Sequence, residues 1–181
     1  MNPIVVNKHI RLEPIKYNHA FQVFQAIEQN RAFLSTWLPF VEQTKTQEDT
    51  ESFIRSVLDE PVDIREHVFV IWYQDHFAGL IGFKDTDRLN QKTEIGYWLI
   101  ERMTGKGIMK TAVEALISFV FTTMKMNRIQ IKCGVGNGKS AAIPKGLGFH
   151  FEGVERAGEK HGNHFIDLEV YSLLKNEREK R

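Results

Sequence analysis

The chain has 181 residues, of which 42% are apolar and 13 are phenylalanine, enough to fill the core of one domain. Its 24 basic and 23 acidic side chains nearly cancel, so no excess charge indicates nucleic acid or an anionic membrane surface. The single cysteine, Cys133, excludes an internal disulfide and fits a reducing compartment. No apolar run approaches the roughly 20 residues of a membrane span, and no signal peptide is recognisable, so we expect a cytoplasmic protein.

The N-terminal half predicts strands alternating with helices. The elements are, in order, a strand or short hairpin at 4–13, a helix at 18–30, a helix at about 46–58, and strands at 67–73 and 77–83 joined by a turn at 74–76. Pro14 ends the first strand because it cannot donate to a sheet ladder. Residues 33–40 are rich in aromatic side chains and broken by a proline.

The C-terminal half continues the same alternation. It predicts a strand at 94–100, a long helix ending near Met126, a strand at 128–135, a short helix, and final strands at about 149–155 and 164–173. Asn137 is the expected N-cap of the short helix. Pro144 removes the backbone hydrogen bond to the Ser140 carbonyl and should shorten or kink that helix. We therefore expect one mixed α/β domain over residues 1–181.

The most informative segment is the turn Arg102-Met-Thr-Gly105-Lys-Gly107-Ile108, which follows a strand and opens the long helix. A helix start leaves about four backbone N–H groups without partners, and the helix dipole favours negative charge there. Because Gly105 and Gly107 lack a Cβ, a bulky anion can approach these groups closely. The turn therefore predicts a pyrophosphate-binding site.

A second segment, Asn137-x-x-Ser140 followed by Gly148-Phe149, lies about thirty residues further on. In this order the two segments resemble the cofactor motifs of the GNAT acetyltransferase superfamily, and the resemblance covers essentially the whole chain. Three more pieces resemble the Rim-type branch (RimJ- and RimL-like), which acetylates N-terminal amines of proteins, including ribosomal proteins: Glu94-Ile-Gly-Tyr-Trp98, Trp37-Leu-Pro39 and Phe151-Glu-Gly153.

This resemblance implies a bent, mixed, mostly antiparallel sheet of about seven strands, flanked by about four helices. The sheet is expected to splay between the strands at 94–100 and 128–135, with acetyl-CoA in the gap as the co-substrate. The implied contacts to acetyl-CoA come from Leu99, Ile100, Arg102, Thr104, Gly105, Lys106, Gly107, Ile108, Asn137 and Ser140.

Acetyl transfer to an amine needs a neutral amine, a stabilised oxyanion and a proton for the departing thiolate. An N-terminal amine has a pKa near 8, so a modest base is sufficient. Ser140 is the expected proton donor, in agreement with the serine that the branch uses. The alignment with the branch makes Glu159, expected in a polar turn at 157–163, the first candidate for the base. Glu94, acting directly or through a water, is the second.

The acceptor side is expected to include Trp37 and Tyr97. His161 and His164 have the spacing of metal ligands, but no further cysteine or acidic cluster completes a site, so we expect no metal. Two alternatives stay open: an acceptor that is a small amine such as a polyamine, amino acid or aminoglycoside, and a non-catalytic acyl-CoA-binding sensor. A homodimer is implied by family analogy only.

Overall fold

The structure is a computed structural model that describes residues 2–61 and 65–179. In these ranges it contains eight β-strands: β1 (Ile4–Val5), β2 (Ile10–Pro14), β3 (Val68–Tyr73), β4 (His76–Asp87), β5 (Lys92–Leu99), β6 (Arg128–Gly134), β7 (His150–His161) and β8 (His164–Leu174). The count exceeds seven because residues 4–13 form the hairpin alternative, in which β1 and β2 pair antiparallel with Ile4 opposite Leu12.

The same ranges contain seven α-helices: α1 (Ala20–Gln29), α2 (Arg31–Leu34), α3 (Phe40–Gln43), α4 (Gln47–Leu58), α5 (Ile108–Thr122), α6 (Gly138–Gly146) and α7 (Lys175–Glu179). The four longer ones, α1, α4, α5 and α6, correspond to the four predicted helices. The other three are four or five residues long, too short for a periodic apolar pattern to reveal them. No helix in the described part of the chain is long and apolar enough to cross a membrane.

The strands form one sheet in the order β1-β2-β3-β4-β5-β6-β8-β7. The pairs β1–β2, β2–β3, β3–β4, β6–β8 and β7–β8 are antiparallel, and β5–β6 is parallel. The mostly antiparallel, mixed sheet of the prediction is thus confirmed. The parallel register begins at Lys92 with Arg128 and ends at Glu94 with Gln130, whereas β5 itself continues to Leu99. The short register agrees with two strands that part after Glu94.

The chain folds as two compact units, Met1–Gly82 with Tyr97–Ile108, and Phe83–Gly96 with Met109–Arg181. In the first unit, helices α1 and α4 bury their apolar faces together with residues of β3 and β4. The core residues there include Val23, Ile27, Ile54, Val70 and Leu80. In the second unit, α5 supplies the fully buried Leu116 and Val120, and β6 supplies Ile129 and Ile131.

Local sequence signals account for several element boundaries. Thr46 caps α4 in a reciprocal capping box with Asp49, whose carboxylate accepts from the Thr46 backbone N–H at 2.8 Å. Gln74 and Asp75 both have positive φ, as the tight turn between β3 and β4 requires. The prediction that the long helix reaches Met126 was wrong: α5 ends at Thr122, and Lys125 has φ of 58°, outside the helical region.

Candidate active site

The chain leaves β5 through a 3₁₀ turn, Glu101–Met103, and enters α5 at Ile108. Gly105 and Gly107 have φ of +73° and +74°, a left-handed conformation that strains any residue with a Cβ. A Cβ built on either glycine would meet no atom within 4 Å, so the backbone of this turn faces open space. The predicted glycine turn is therefore present, and its main chain is open to a ligand.

The side chains of this turn divide into two groups. Arg102 and Lys106 are exposed, which places two cations beside the glycines. Thr104 is half-buried, and its hydroxyl donates to the Glu101 carbonyl at 2.8 Å. Ile108 is 1% exposed and anchors the end of the turn in the core. The turn is thus anchored in the core at its end and carries exposed, positively charged side chains, an arrangement that suits a phosphate group.

The end of β5 is less available to a ligand than expected. The Ile100 N–H donates to the Ala78 carbonyl at 2.9 Å, and the Ile100 carbonyl accepts from the Met103 N–H at 3.0 Å. A main-chain contact at Ile100 is therefore limited to the second lone pair of its carbonyl. Leu99, the last residue of β5, is half-buried.

A cavity of about 390 Å³ lies beside this segment in the first unit. Its lining includes Gln22, Gln25 and Gln29 of α1, together with Ile100 and Arg102. The side-chain oxygen of Asn30, which also lines the cavity, accepts from the Glu101 N–H at 3.1 Å and fixes the segment. No local pattern could indicate Asn30 as an anchor, because its partner is 71 residues away.

The residues expected on the acceptor side, Trp37 and Tyr97, are both half-buried in the first unit. Near them in sequence, Phe40 and Trp98 approach each other with ring centroids 6.5 Å apart, and Trp98 lies 5.9 Å from Phe77. Phe40 keeps 37% of its surface exposed. These aromatic side chains form a partly open apolar surface, as a groove for a substrate side chain would need.

In the second unit, Asn137 caps α6, as predicted. Its side-chain oxygen accepts from the Ser140 N–H at 3.1 Å, which leaves its amide N–H₂ as the donor for a ligand. Ser140 is half-buried in the first turn of the helix, and its hydroxyl hydrogen-bonds to Cys133. Burial raises the pKa of the Cys133 thiol to about 11, so this cysteine is buried and protonated at neutral pH, as expected of an inert thiol.

Pro144 does not end α6, although the sequence predicts that it shortens or kinks this helix. The helix runs to Gly146 with the buried Pro144 inside it. The Leu147 N–H reaches back to Ile143 at 3.1 Å, and the Phe149 N–H donates to the Pro144 carbonyl at 2.9 Å. These bonds close the end of the helix beyond the proline, which explains why the element survives.

Glu159 lies on a strand, and the prediction of a polar turn at 157–163 was wrong. Strand β7 continues to His161, and only two residues separate it from β8. The register shifts between Glu155 and Glu159: Glu155 is opposite Leu168, and Glu159 is opposite Ile166, so two extra residues bulge from β7. The loop-like residues before Glu159 therefore mark a bulge within the strand.

Glu94, the second candidate base, is 2% exposed and already has partners. One of its oxygens lies 2.8 Å from the Lys84 ammonium nitrogen, and the other accepts from the Gln130 side chain at 2.9 Å. The Lys132 ammonium nitrogen is 3.9 Å away. The carboxylate thus links β4, β5 and β6 at the last registered pair of the parallel strands.

The sequence missed a polar cluster around Tyr171, which is 1% exposed on β8. Its hydroxyl donates to Glu169, and burial together with this bond raises the Tyr171 pKa. Lys145 of α6 lies 3.9 Å from Glu169 and 5.6 Å from the Tyr171 ring centre. Glu169 is opposite Cys133 in the register, and its negative charge adds to the effect of burial in raising the pKa of the thiol. No group of three or more potential metal ligands occurs in the residues described.

The fold, the open glycine turn and the capped Asn137–Ser140 helix start together define the class of the protein. A family model described as acetyltransferase (GNAT) domain matches residues 9–150, and the chain belongs to this family of acetyltransferases. The resemblance inferred from the two motifs is thereby confirmed.

Relatives of known name cover nearly the whole chain. YdaF of Bacillus subtilis (strain 168), which carries the name of a ribosomal N-acetyltransferase, is 34% identical over 173 residues, which are 95% of this chain and 94% of that protein. The ribosomal-protein-serine acetyltransferase of Escherichia coli (strain K12) is 29% identical over 94% of this chain and 96% of that protein. The crystal structure of the microcin C7 self-immunity acetyltransferase MccE, in complex with acetyl-CoA and AMP, is 29% identical with a TM-score of 0.91 and covers 96% of both chains.

Proposed function

We propose that the protein is an acetyl-CoA-dependent N-acetyltransferase that acetylates the N-terminal α-amine of a protein or peptide, with ribosomal proteins as the first acceptors to test. The observation that carries this proposal is the open main-chain turn at residues 104–108 in a GNAT-family chain. The names of the B. subtilis and E. coli relatives support the choice of a ribosomal acceptor. The family model crosses the boundaries of both compact units, which supports one catalytic domain over residues 1–181.

The residues around the turn would hold the co-substrate. The backbone N–H groups of residues 105–108 would bind the pyrophosphate, and the exposed Arg102 and Lys106 would balance its charge. The Thr104 N–H, expected to join them, instead donates to the Glu101 carbonyl at 3.0 Å. Leu99 and the second lone pair of the Ile100 carbonyl would meet the pantetheine arm. The Asn137 amide N–H₂ is not used by the helix cap and would donate to the same arm.

The reaction would proceed by direct attack of the amine on the thioester. At pH 7 about a tenth of an N-terminal amine with a pKa near 8 is neutral, so a modest base is sufficient. The amine nitrogen forms the C–N bond and loses a proton to the base as the C–S bond breaks. The departing coenzyme A thiolate takes a proton from the Ser140 hydroxyl. Solvent then restores the serine proton and takes up the proton held by the base, so the proton transfers balance.

Glu159 is the better of the two base candidates. It is about one-third exposed, so an acceptor amine can reach it, whereas Glu94 is almost completely buried and engaged by Lys84 and Gln130. A base must exchange protons with substrate and solvent in each cycle. We therefore assign the base to Glu159 and a structural role to Glu94.

The proposal is tested by intact-protein and peptide mass spectrometry after incubation with acetyl-CoA. The acceptors are peptides that begin with serine or alanine, the same peptides with a blocked N-terminus and one lysine, and a panel of polyamines and free amino acids. Acetylation confined to free N-termini supports the proposal. Acetylation confined to lysine or to small amines overturns the acceptor class.

The bound AMP in MccE favours one second candidate, a small amine that carries a nucleotide-like group. The partly open aromatic surface that includes Phe40 and Trp98 could stack a planar base. Aminoacyl sulfamoyl adenosine, a stable compound with both a free α-amine and an adenosine, serves as the probe. A kcat/KM for this compound at least tenfold above that of the best peptide would select the second candidate.

A further inference from the structure

His161 is a buried polar side chain that the proposed reaction has not used. It is 8% exposed although it sits at the end of β7, next to the two-residue hairpin turn. Its Nε2 lies 2.8 Å from the Glu159 carboxylate, and the ring is 6.0 Å from that of His164 across the hairpin. A buried imidazole is costly unless it is hydrogen-bonded, and the carboxylate supplies that bond.

The direction of this hydrogen bond follows from the chemistry of its partner. An ionised carboxylate has no proton to donate, so the proton lies on His161 Nε2, which donates to Glu159 Oε2. In the described residues Glu159 makes no other side-chain hydrogen bond, which leaves Oε1 to accept a proton from an amine. His161 therefore holds Oε2 of Glu159, while Oε1 is available to the acceptor amine.

The backbone before the pair is also fixed. Ala157 adopts φ of 52° in the bulge, and its N–H donates to the Asp167 carboxylate at 2.7 Å. A Cβ on Gly158 would lie 3.0 Å from side-chain carbons of Leu168, so only a glycine fits this close approach without a shift. Bulges of this kind often redirect a side chain next to an active site, and here the redirected residue is Glu159.

We propose that His161 is a positioning residue of the active site, whose Nε2–H holds the Glu159 carboxylate in the orientation needed to take the proton of the acceptor amine. This inference rests on the proposed function, in which Glu159 is the base. His161 neither takes nor gives the proton: the amine proton moves to Glu159 Oε1, while the bond from His161 to Oε2 persists before and after the transfer. The pair is assembled from a single strand, because residues i and i+2 share one face of β7.

Two polar substitutions separate this role from simple packing. In His161→Gln the side-chain amide can place an N–H near the position of Nε2, whereas in His161→Asn the shorter side chain cannot reach Glu159. We expect His161→Asn to lower kcat about tenfold with an unchanged KM for acetyl-CoA, because the base is misplaced while the co-substrate site is intact. His161→Gln is expected to keep at least half of the wild-type kcat. The exposed His164, changed to Asn, is the matched control and should keep full activity.

A double-mutant cycle with Glu159→Gln gives the decisive readout. If His161 acts only through Glu159, adding His161→Asn to Glu159→Gln causes no further loss of kcat. Additive losses, or equal losses for Asn and Gln at His161, would show a structural role and overturn the inference while leaving the proposed function intact. A wild-type protein that acetylates no amine of the panel would overturn both. Melting temperatures of all variants are measured alongside, so that a loss of folding is recognised.

Discussion

Glu94 and Lys84 form an ion pair of 2.8 Å between β5 and β4, in which the Glu94 side chain is 2% exposed and the Lys84 side chain 54% exposed. Because the carboxylate is buried, the Lys84 ammonium group and the Gln130 amide replace the water that would otherwise stabilise its charge. The pair thus stabilises the end of the β5–β6 register, at Glu94 and Gln130.

From this we predict that Glu94→Gln lowers stability more than it lowers catalysis. The neutral amide loses the ion pair in a buried position, at a cost of about 1–3 kcal/mol in the free energy of unfolding. The measurement is urea denaturation, together with kcat at saturating acetyl-CoA. Glu159→Gln should show the opposite pattern, with normal stability and a kcat about 10²-fold lower. A large kcat loss in Glu94→Gln with unchanged stability would move the base to Glu94.

Ser140 should contribute to kcat without contributing to acetyl-CoA affinity. Ser140→Ala keeps the backbone N–H that Asn137 caps but removes the hydroxyl that protonates the thiolate, so we expect kcat to fall about 10-fold to 10²-fold. The dissociation constant of acetyl-CoA, measured by calorimetry, should stay within twofold. The exposed Ser118 of α5, changed to Ala, serves as the control. If Ser140→Ala keeps the wild-type kcat, Ser140 is not the proton donor, and the thiolate is protonated by solvent.

The two functions of the Asn137 side chain can be separated by substitution. Asn137→Asp keeps the oxygen that accepts from the Ser140 N–H but loses the amide donor, so stability should be retained while acetyl-CoA binds more weakly. Asn137→Ala loses both groups, so its free energy of unfolding should also fall by about 1 kcal/mol. Thermal unfolding and calorimetry on the two variants distinguish the effects. Equal acetyl-CoA affinity in wild type and Asn137→Asp would remove this residue from the site.

Substitution in the glycine turn should impair co-substrate binding. Gly107→Ala places a Cβ on the open side of the turn and strains a φ of +74°, at a cost of about 1–2 kcal/mol. We expect the dissociation constant of acetyl-CoA to rise at least tenfold in a calorimetric titration. Gly153→Ala is the control, because Gly153 also has a positive φ (137°) with nothing within 4 Å, but lies on β7. If Gly107→Ala binds acetyl-CoA as tightly as Gly153→Ala does, the glycine turn is not part of the co-substrate site.

The pH dependence of stability should contain a contribution from Glu152. The Arg128 guanidinium, which binds both of its oxygens at 2.6 Å, lowers the Glu152 pKa from 4.5 to about 2. Because the folded-state pKa is depressed, this stabilisation is complete above pH 4.5 and is lost as the pH falls toward 2. The difference in unfolding free energy between wild type and Glu152→Gln should therefore shrink over that interval. A constant difference would mean that the ion pair does not titrate as described.

The parts of the fold that the sequence predicts are those encoded by neighbouring residues. The Thr46 capping box, the Asn137 cap and the glycine turn each involve residues within a few positions of one another, so their pattern is visible in the chain. The extent of β7 was not predictable from local signals. Ala157 and Gly158 have the composition of a loop, and only the opposite strand, through Asp167 and Leu168, turns them into a bulge.

The sequence predicts which residue types form the site, but not the hydrogen bonds and ion pairs that these residues make. In the sequence, Glu94 and Glu159 are both candidates for the base. Their tertiary contacts distinguish them: Glu94 contacts a lysine and a glutamine from other strands, whereas Glu159 contacts His161 on its own strand. His161, dismissed as an incomplete metal ligand, had a partner two residues away. The i, i+2 spacing on a strand was the signal that could have revealed it.

The central claim is tested most directly by locating the transferred acetyl group. The protein is incubated with acetyl-CoA and a mixture of deacetylated ribosomal proteins, and the products are digested and sequenced by tandem mass spectrometry. We predict acetylation at the α-amine of one N-terminus or a small number of N-termini, abolished in Gly107→Val and strongly reduced in Glu159→Gln. No transfer to any N-terminus, with transfer to lysines or small amines instead, would contradict the account.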